Sequence, residues 1–337
     1  MRSGLRHWTW GVACVLAACA APVWAVDPAL TSSDDRILQT YEPITAGYTK
    51  DSGDVPYMDA TLSLKVRLLP PDLMEPLHSR LYFAFTTRFG FYLGTRESAP
   101  VIGKSYNPKL IWRWMPDTDV RQSAQGTSVW TGDAQGGGTQ EHAQYLDFAY
   151  AHESNGQTLS SADGYAREQR EQERPEFAND YISRGWDYLE VVWKRSWFKG
   201  ASADASGATT VAPLATYLDL QYFLPRGLLQ GRAEEYNSWE ASADGKPRKA
   251  VDGITAIAEY QSHWRWGRYL PSNPSFWLKY KTGYDSPFKY STVRGEAGVE
   301  IAGLPVVLWA QNGYMQSLAN YYRRTTSFGL ELRFGEF

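Results

Sequence analysis

Apolar and polar residues alternate along much of the chain. In "TLSLKVRL", an extended backbone puts Leu62, Leu64, Val66 and Leu68 on one face and Thr61, Ser63, Lys65 and Arg67 on the other. "LATYLDLQYFL" sets Leu214, Thr216, Leu218, Leu220 and Tyr222 opposite Tyr217, Asp219 and Gln221. "FWLKYKT" and "FGLELRF" repeat the pattern, with Phe276, Leu278 and Tyr280 against Trp277, Lys279 and Lys281, and Phe328, Leu330, Leu332 and Phe334 against Glu331 and Arg333. About twelve such segments begin near residues 61, 80, 107, 143, 185, 213, 228, 251, 274, 291, 304 and 326. Segments of about ten residues, apolar on one face and charged on the other, describe a barrel whose outside meets lipid and whose inside is wet. An even number of antiparallel strands closes without an exposed edge. The expected fold is therefore all-β, a twelve-stranded antiparallel transmembrane β-barrel over residues 57–337.

The connections differ in kind. The long polar stretches 116–142 and 157–182 read as outer loops, and the short joint "GLP" (303–305) as a periplasmic turn. Residues 26–56 lack alternation and contain Pro28, Pro43 and Pro56, so they are expected to form an N-terminal periplasmic segment outside the wall.

Residues 1–25 have the form of an export signal: Arg2 and Arg6, the apolar "GVACVLAACAAPV", then the small-residue site "VWA". Cleavage there starts the mature chain near Val26 and, by removing two arginines, moves the formal charge from −3 to −5. The alternative is lipoprotein processing at "LAAC", leaving Cys19 lipidated. Cys14 and Cys19 are the only cysteines, so cleavage near Val26 leaves no disulfide, thiol catalyst or thiolate metal site. With 34 basic against 37 acidic residues, nothing marks a nucleic-acid footprint. The 14 Trp and 22 Tyr supply side chains suited to membrane interfaces. Past the signal, no apolar run reaches the roughly 20 residues of a membrane helix.

One stretch carries candidate chemistry. In "YLDFAYAHESNG" (145–156) the apolar parity of Leu146, Phe148 and Tyr150 continues into His152 and Ser154, while Asp147 and Glu153 take the other face. In "RGWDYLEVVW" the apolar parity of Leu189, Val191 and Trp193 includes Asp187. If these strands are antiparallel neighbours, Asp187 comes up beside His152, and a hydroxyl, an imidazole and a carboxylate share the outer face. A serine nucleophile needs a base within reach, and the base needs an orienting partner. The same residues also suit the rim of a wall that meets lipid headgroups, so the pattern by itself leaves both readings open. Elsewhere, "GGG" (136–138) reads as loop flexibility, Asp117 and Asp119 as a solvated turn, and 167–176 as a solvated face or short helix.

At "HESNG" (His152 to Gly156) and "SRGWD" (Ser183 to Asp187) the sequence resembles the outer-membrane phospholipases A. Weaker similarity lies in "FTTRFGFYLG" (85–94), in "SYNPKL" (105–110) and in a chain that ends on Phe337. The resemblance implies a calcium-dependent hydrolase of phospholipid acyl esters in the bacterial outer membrane, active as a homodimer. It implies Ser154 as nucleophile, His152 as base and Asp187 as the orienting third member, with the oxyanion held by the Gly156 N–H and by calcium-bound water. Calcium would sit on oxygens of Gln157 and Ser183, completed by Ser98 of the partner subunit. The chain departs from the family pattern at Asp187, where asparagine is more usual, and in a longer loop between the motifs. It also has Phe85, Thr86 and Thr87 in place of "YTQ", which removes the glutamine that supports the third member. The last strand's apolar parity is out of phase with Phe337. The competing function is a non-catalytic barrel, a porin or structural protein; a barrel that deacylates lipopolysaccharide would use similar groups.

Overall fold

The computed structural model describes residues 37–52, 56–92, 101–116, 120–123, 139–142, 144–197, 214–230, 246–262 and 271–334. The signal, both cysteines, Ser98, Asp117, Asp119, "GGG" and Phe337 lie outside them. The wall consists of β1 (Ile44–Asp51), β2 (Tyr57–Arg67), β3 (Ser79–Phe91), β4 (Val101–Trp114), β5 (Gln144–Ser154) and β6 (Gly185–Trp197), followed by β7 (Leu214–Phe223), β8 (Gly253–Gln261), β9 (Ser272–Gly283), β10 (Thr292–Ile301), β11 (Leu304–Gly313) and β12 (Thr325–Phe334). Neighbours pair antiparallel throughout, and β1 pairs with both β12 and β2, which closes a twelve-stranded cylinder.

The alternation resolves as expected for a lipid-facing wall. Leu62, Phe83, Leu110, Phe148, Leu218, Leu278, Leu308 and Leu330 are exposed on the outside. Ser63, Lys65, Lys109, Arg113, Asp147, Glu190, Glu296 and Glu331 are buried inside. An apolar outer face of this kind suits hydrocarbon, and several of the inward polar groups pair with one another in the lumen.

Three expectations are corrected. The segment 26–56 does not stay outside the wall: Ile44–Asp51 is a wall strand, with Ile44 opposite Phe334 and Thr45 opposite Thr61. Its outward residues include the small Ala46 and the charged Lys50, so its hydrophobic signal is weak although its backbone pairs fully. The segment near 228 is not a strand, because Pro225 and Gly227 break it into bends. Finally, the connection 116–142 leaves from the end opposite to 157–182, since a single strand, β5, separates the two and each crossing changes sides. The joint at 303 is a two-residue hairpin turn, with Ala302 and Gly303 both at positive φ (52° and 83°) between paired Ile301 and Leu304.

The lumen is filled by side chains and by inserted chain. From the end where β1 starts, Tyr41 packs on Tyr82, Ala84, Ile111 and Ala149, while Glu42 accepts from Arg88 at 2.7 Å. Across the middle, Lys109 donates to both carboxylate oxygens of Glu190 at 2.8 Å, and Arg113 pairs with Asp147 at 2.7 Å. At the other end, Ala250, Val251, Leu318, Tyr321 and Tyr322 pack against the inward Trp186, Tyr188 and Phe223. Beside them Arg248 bonds Glu153 at 2.9 Å and Asp252 at 3.2 Å. Burial opposes ionisation of Asp252, but the charges of Lys281 and Arg248 overcome it and hold its carboxyl well below the usual range.

These pairs are out of water, so breaking one from a single side leaves an uncompensated charge. Glu190→Ala is expected to destabilise the barrel by about 3–5 kcal/mol, whereas Lys109→Met with Glu190→Leu should cost clearly less. Urea unfolding of the three proteins in lipid or detergent, followed by tryptophan fluorescence, measures the difference.

Candidate active site

The site is built where β5 ends and β6 begins. In this pair His152 lies directly opposite Asp187, and Ser154 opposite Gly185. Asp187 turns its backbone away from β5: its carbonyl accepts from Leu224 N at 2.9 Å and its N–H donates to Gln230 Oε1 at 3.2 Å. Opposite His152 it therefore occupies a non-hydrogen-bonded position, where facing side chains approach most closely. His152 Nδ1 is 2.5 Å from Asp187 Oδ1. With the carboxylate as acceptor, Nδ1 carries the proton and Nε2 is left with a free lone pair.

Asp187 is fully buried although it faces outward. Its cover is the segment Leu224–Gln230, which passes over the outside of the wall. Oδ2 of Asp187 accepts from Leu229 N at 2.7 Å, from Gln230 N at 3.2 Å and from the Tyr150 hydroxyl. The Tyr150 oxygen in turn accepts from Leu228 N at 2.7 Å. Leu228 itself is 88% exposed on the lipid side.

The lumenal neighbours of the site hold it from behind. Glu153, between His152 and Ser154, points inward and accepts from Ser105 at 2.8 Å and Arg248 at 2.9 Å. Trp186 and Tyr188, on either side of Asp187, are anchored in the interior aromatic cluster, with Trp186 edge-on to Tyr321.

Between the strands, the chain makes a folded excursion rather than an open loop. Helix α1 (Ala162–Glu171) starts at Ser161, whose hydroxyl accepts from Gly164 N at 3.1 Å, and a 3-10 helix spans Pro175–Tyr181. The charged run 167–176 thus belongs partly to α1. The neck is closed by pairing of Leu159 with Ile182, with Ser183 N donating to Leu159 O at 2.8 Å. Asn155 joins the two motifs: its Nδ2 donates to Ile182 O at 2.6 Å, and its Oδ1 accepts from Arg184 N at 3.0 Å and Gln157 N at 3.3 Å.

A cleft of about 230 Å³ is bordered by His152, Ser154, Gly156, Gln157 and Ser183 together with Leu229 and Gln230 of the covering segment. Gly156 has a φ of 60°, and a Cβ there would lie 3.1 Å from the Tyr106 ring. Among the described residues no hydrogen bond joins Ser154 to His152, although they share the cleft. Catalytic hydrogen bonds are often long in a free enzyme and tighten when substrate arrives.

The structure therefore brings together Ser154, His152, Asp187, Gly156, Gln157 and Ser183. Sequence reasoning missed Asn155, Tyr150 and the 224–230 segment. The available signals were the turn-forming Pro225 and Gly227, and a tyrosine hydroxyl at the site end of an apolar face. Among the described residues no cluster of three or more His, Cys, Asp or Glu side chains could hold a metal. Gln157 and Ser183 offer neutral oxygens, the hard donors calcium takes, but fewer than the six to eight of a full shell. The Ser183 carbonyl accepts from Arg184 Nη1 at 2.7 Å, which uses one of its two lone pairs.

No protein-family model matches the chain, and no curated protein matches it significantly. Solved structures do. The outer membrane phospholipase A from Escherichia coli superimposes with a TM-score of 0.55 and 14% identity, over 93% of this chain and 99% of that one. The fold is similar to that of the outer membrane phospholipase A. An active-site mutant of the same protein gives a TM-score of 0.55 and 14% identity over 92% and 96% of the two chains. The Salmonella typhi outer membrane phospholipase, a dimer with bound calcium, gives 0.54 and 13% over 93% and 99%. At these identities the likeness is one of fold.

Asn155 is 3% exposed and serves three backbone partners, so Asn155→Ala should cost about 1–3 kcal/mol, localised to the neck of the excursion. Trypsin should then cut at Arg167 and Arg170 markedly faster than in the parent protein while the barrel stays closed. Equal cleavage rates in the two proteins would show that Asn155 does not hold the neck.

Proposed function

We propose that the protein is an outer-membrane serine hydrolase that cleaves acyl ester bonds of phospholipids. The observation that carries this reading is the 2.5 Å pair of His152 and Asp187 on the outer face of the wall, beside Ser154 in one cleft. Polar groups at a lipid-facing surface are costly and mark function. A carboxylate that holds imidazole Nδ1 leaves Nε2 to act as base.

In the proposed reaction the Ser154 hydroxyl attacks the ester carbonyl carbon as its proton passes to His152 Nε2. Negative charge develops on the carbonyl oxygen, and the N–H of Gly156 receives it. Collapse expels the lysophospholipid alkoxide, which takes the proton back from His152 and leaves an acyl-serine. Water attacks that ester as its proton passes to the same imidazole, and collapse releases the fatty acid while the Ser154 oxygen takes the proton back from His152. Asp187 stabilises the imidazolium in both halves. With His152 and Ser154 on the outward parity of β5, a phospholipid would reach them from within the bilayer.

Calcium would be held by oxygens of Gln157 and Ser183, completed by water and by Ser98 of the partner subunit. When bound it would supply positive charge near the developing oxyanion. A ligand drawn from the partner subunit would make a homodimer the active form. The filled lumen supports an enzyme over a porin: Tyr41, Glu42, Lys109 and Glu190 lie where a channel would run.

Purified protein in detergent, given a defined phospholipid, is expected to release fatty acid, to stop when calcium is chelated, and to recover when calcium returns. Ser154→Ala should lose at least ~1,000-fold in kcat. Release unchanged by Ser154→Ala, or ion conductance in planar bilayers with no hydrolysis, rejects this function.

A further inference from the structure

The carboxylate of Asp187 has hydrogen-bond donors on both oxygens. Oδ1 faces His152 Nδ1 at 2.5 Å, and Oδ2 faces the Tyr150 hydroxyl, Leu229 N at 2.7 Å and Gln230 N at 3.2 Å. An aspartate offers two acceptor oxygens only when it is ionised. An asparagine could keep one oxygen on His152, but its NH2 would then face two backbone N–H groups that cannot turn away. Reversing the amide would put NH2 against Nδ1 and force the wrong imidazole tautomer.

Among the described residues no lysine or arginine pairs with Asp187. Its charge is spread over neutral donors and one imidazole, so it remains available to stabilise the imidazolium that forms during acyl transfer. A neighbouring cation would have compensated it and weakened that effect.

The cover is shaped for this one side chain. A Cβ built on Gly227 would collide with Oδ2, Cβ and Cγ of Asp187, so only glycine lets the segment pass at this height. Tyr150 ties the segment to the wall, since its hydroxyl donates to Asp187 and accepts from Leu228 N. A tyrosine that served only to face the membrane interface would not need both hydrogen-bonding roles of its hydroxyl filled by the site.

We propose that Tyr150 and the strap Leu224–Gln230 are the positioning shell of Asp187, holding it as a buried carboxylate against His152 in a serine–histidine–aspartate triad set in a lipid-facing wall. The proposal rests on the hydrolase reading above and names what supports its third member: a tyrosine two residues before the histidine and three backbone positions of a strap that crosses the wall.

The test uses full-length protein in detergent, with folding scored by the shift in gel migration on heating. An activated nitrophenyl ester keeps the residual activity of crippled variants measurable. Tyr150→Phe should lower kcat about tenfold, leave KM within about twofold, and add no further loss in the Asp187→Ala background. Asp187→Asn, which keeps the shape and loses the second acceptor, should fall at least ~100-fold, and Gly227→Ala at least ~10-fold with the barrel still folded. The proposal is overturned if Tyr150→Phe keeps kcat within twofold, if its loss appears only in KM, if it costs the same factor in Asp187→Ala, or if Asp187→Asn stays near the parent rate. Those outcomes leave Ser154-dependent hydrolysis standing. Absence of Ser154-dependent hydrolysis in the parent protein removes the hydrolase reading and this inference with it.

Discussion

The register between β5 and β6 is the constraint on which the site depends. Side chains alternate across a strand with a period of two, so a slip of one residue would send Asp187 into the lumen and bring Trp186 or Tyr188 to the lipid side. The register that pairs His152 with Asp187 is pinned from within. Glu153 is held by Ser105 and Arg248, and Trp186 and Tyr188 are locked into the aromatic cluster that fills the mouth of the barrel. Interior residues that take no part in chemistry thus decide where the outward residues stand. The adjoining position adds to this: Asp187 spends its backbone groups on Leu224 and Gln230, which leaves its side chain at the close-approach position facing His152.

A carboxylate on the outer face of such a wall has to be shielded from hydrocarbon. Several charges inside the barrel are matched by opposite charges, as with Lys109 and Glu190 or Arg113 and Asp147. Outside, the solution differs: Asp187 is covered by chain, and its oxygens are satisfied by N–H and O–H donors. The distinction follows from use. A lumenal charge has only to be neutral in sum, whereas a charge that must answer an imidazolium is more effective when no fixed cation already answers it. The apolar side chains of the strap, Leu228 and Leu229, then face lipid at 88% and 61% exposure, so the cover presents hydrocarbon to hydrocarbon.

Much of this was legible in the sequence because the outward residues of most strands are large. Leu62, Leu218, Leu278 and Leu330 mark their strands plainly, and the parity that places His152, Ser154 and Asp187 outside follows from the same alternation. The number of wall strands was also legible, but through one exchange of members. Ile44–Asp51 carries Ala46 and Lys50 outward and gives little hydrophobic signal, while "GLLQ" (227–230) is apolar enough to pass for a strand although Pro225 and Gly227 bend it. What could not be read was contact at long separation. Tyr150 has the parity of an ordinary lipid-facing aromatic, and only the fold brings it to Asp187, 37 residues on, and to Leu228, 78 residues on.

The excursion between the two motifs shows why its length does not disturb the site. Joining the ends of a longer flexible loop costs only about 0.6 kcal/mol for each doubling of its length. Here the added chain is also ordered, by α1 with its Ser161 cap, by the 3-10 turn Pro175–Tyr181, and by a bond from the Tyr165 hydroxyl to Asn179 at 2.7 Å. The neck is sewn by Leu159, Ile182 and Asn155, all placed between the helices and the cleft. Whatever the excursion does beyond that neck, Gln157 and Ser183 return to the same cleft wall. Geometry at the site is therefore set by the neck and the strand register, and the excursion can change length or composition without moving the residues that line the cleft.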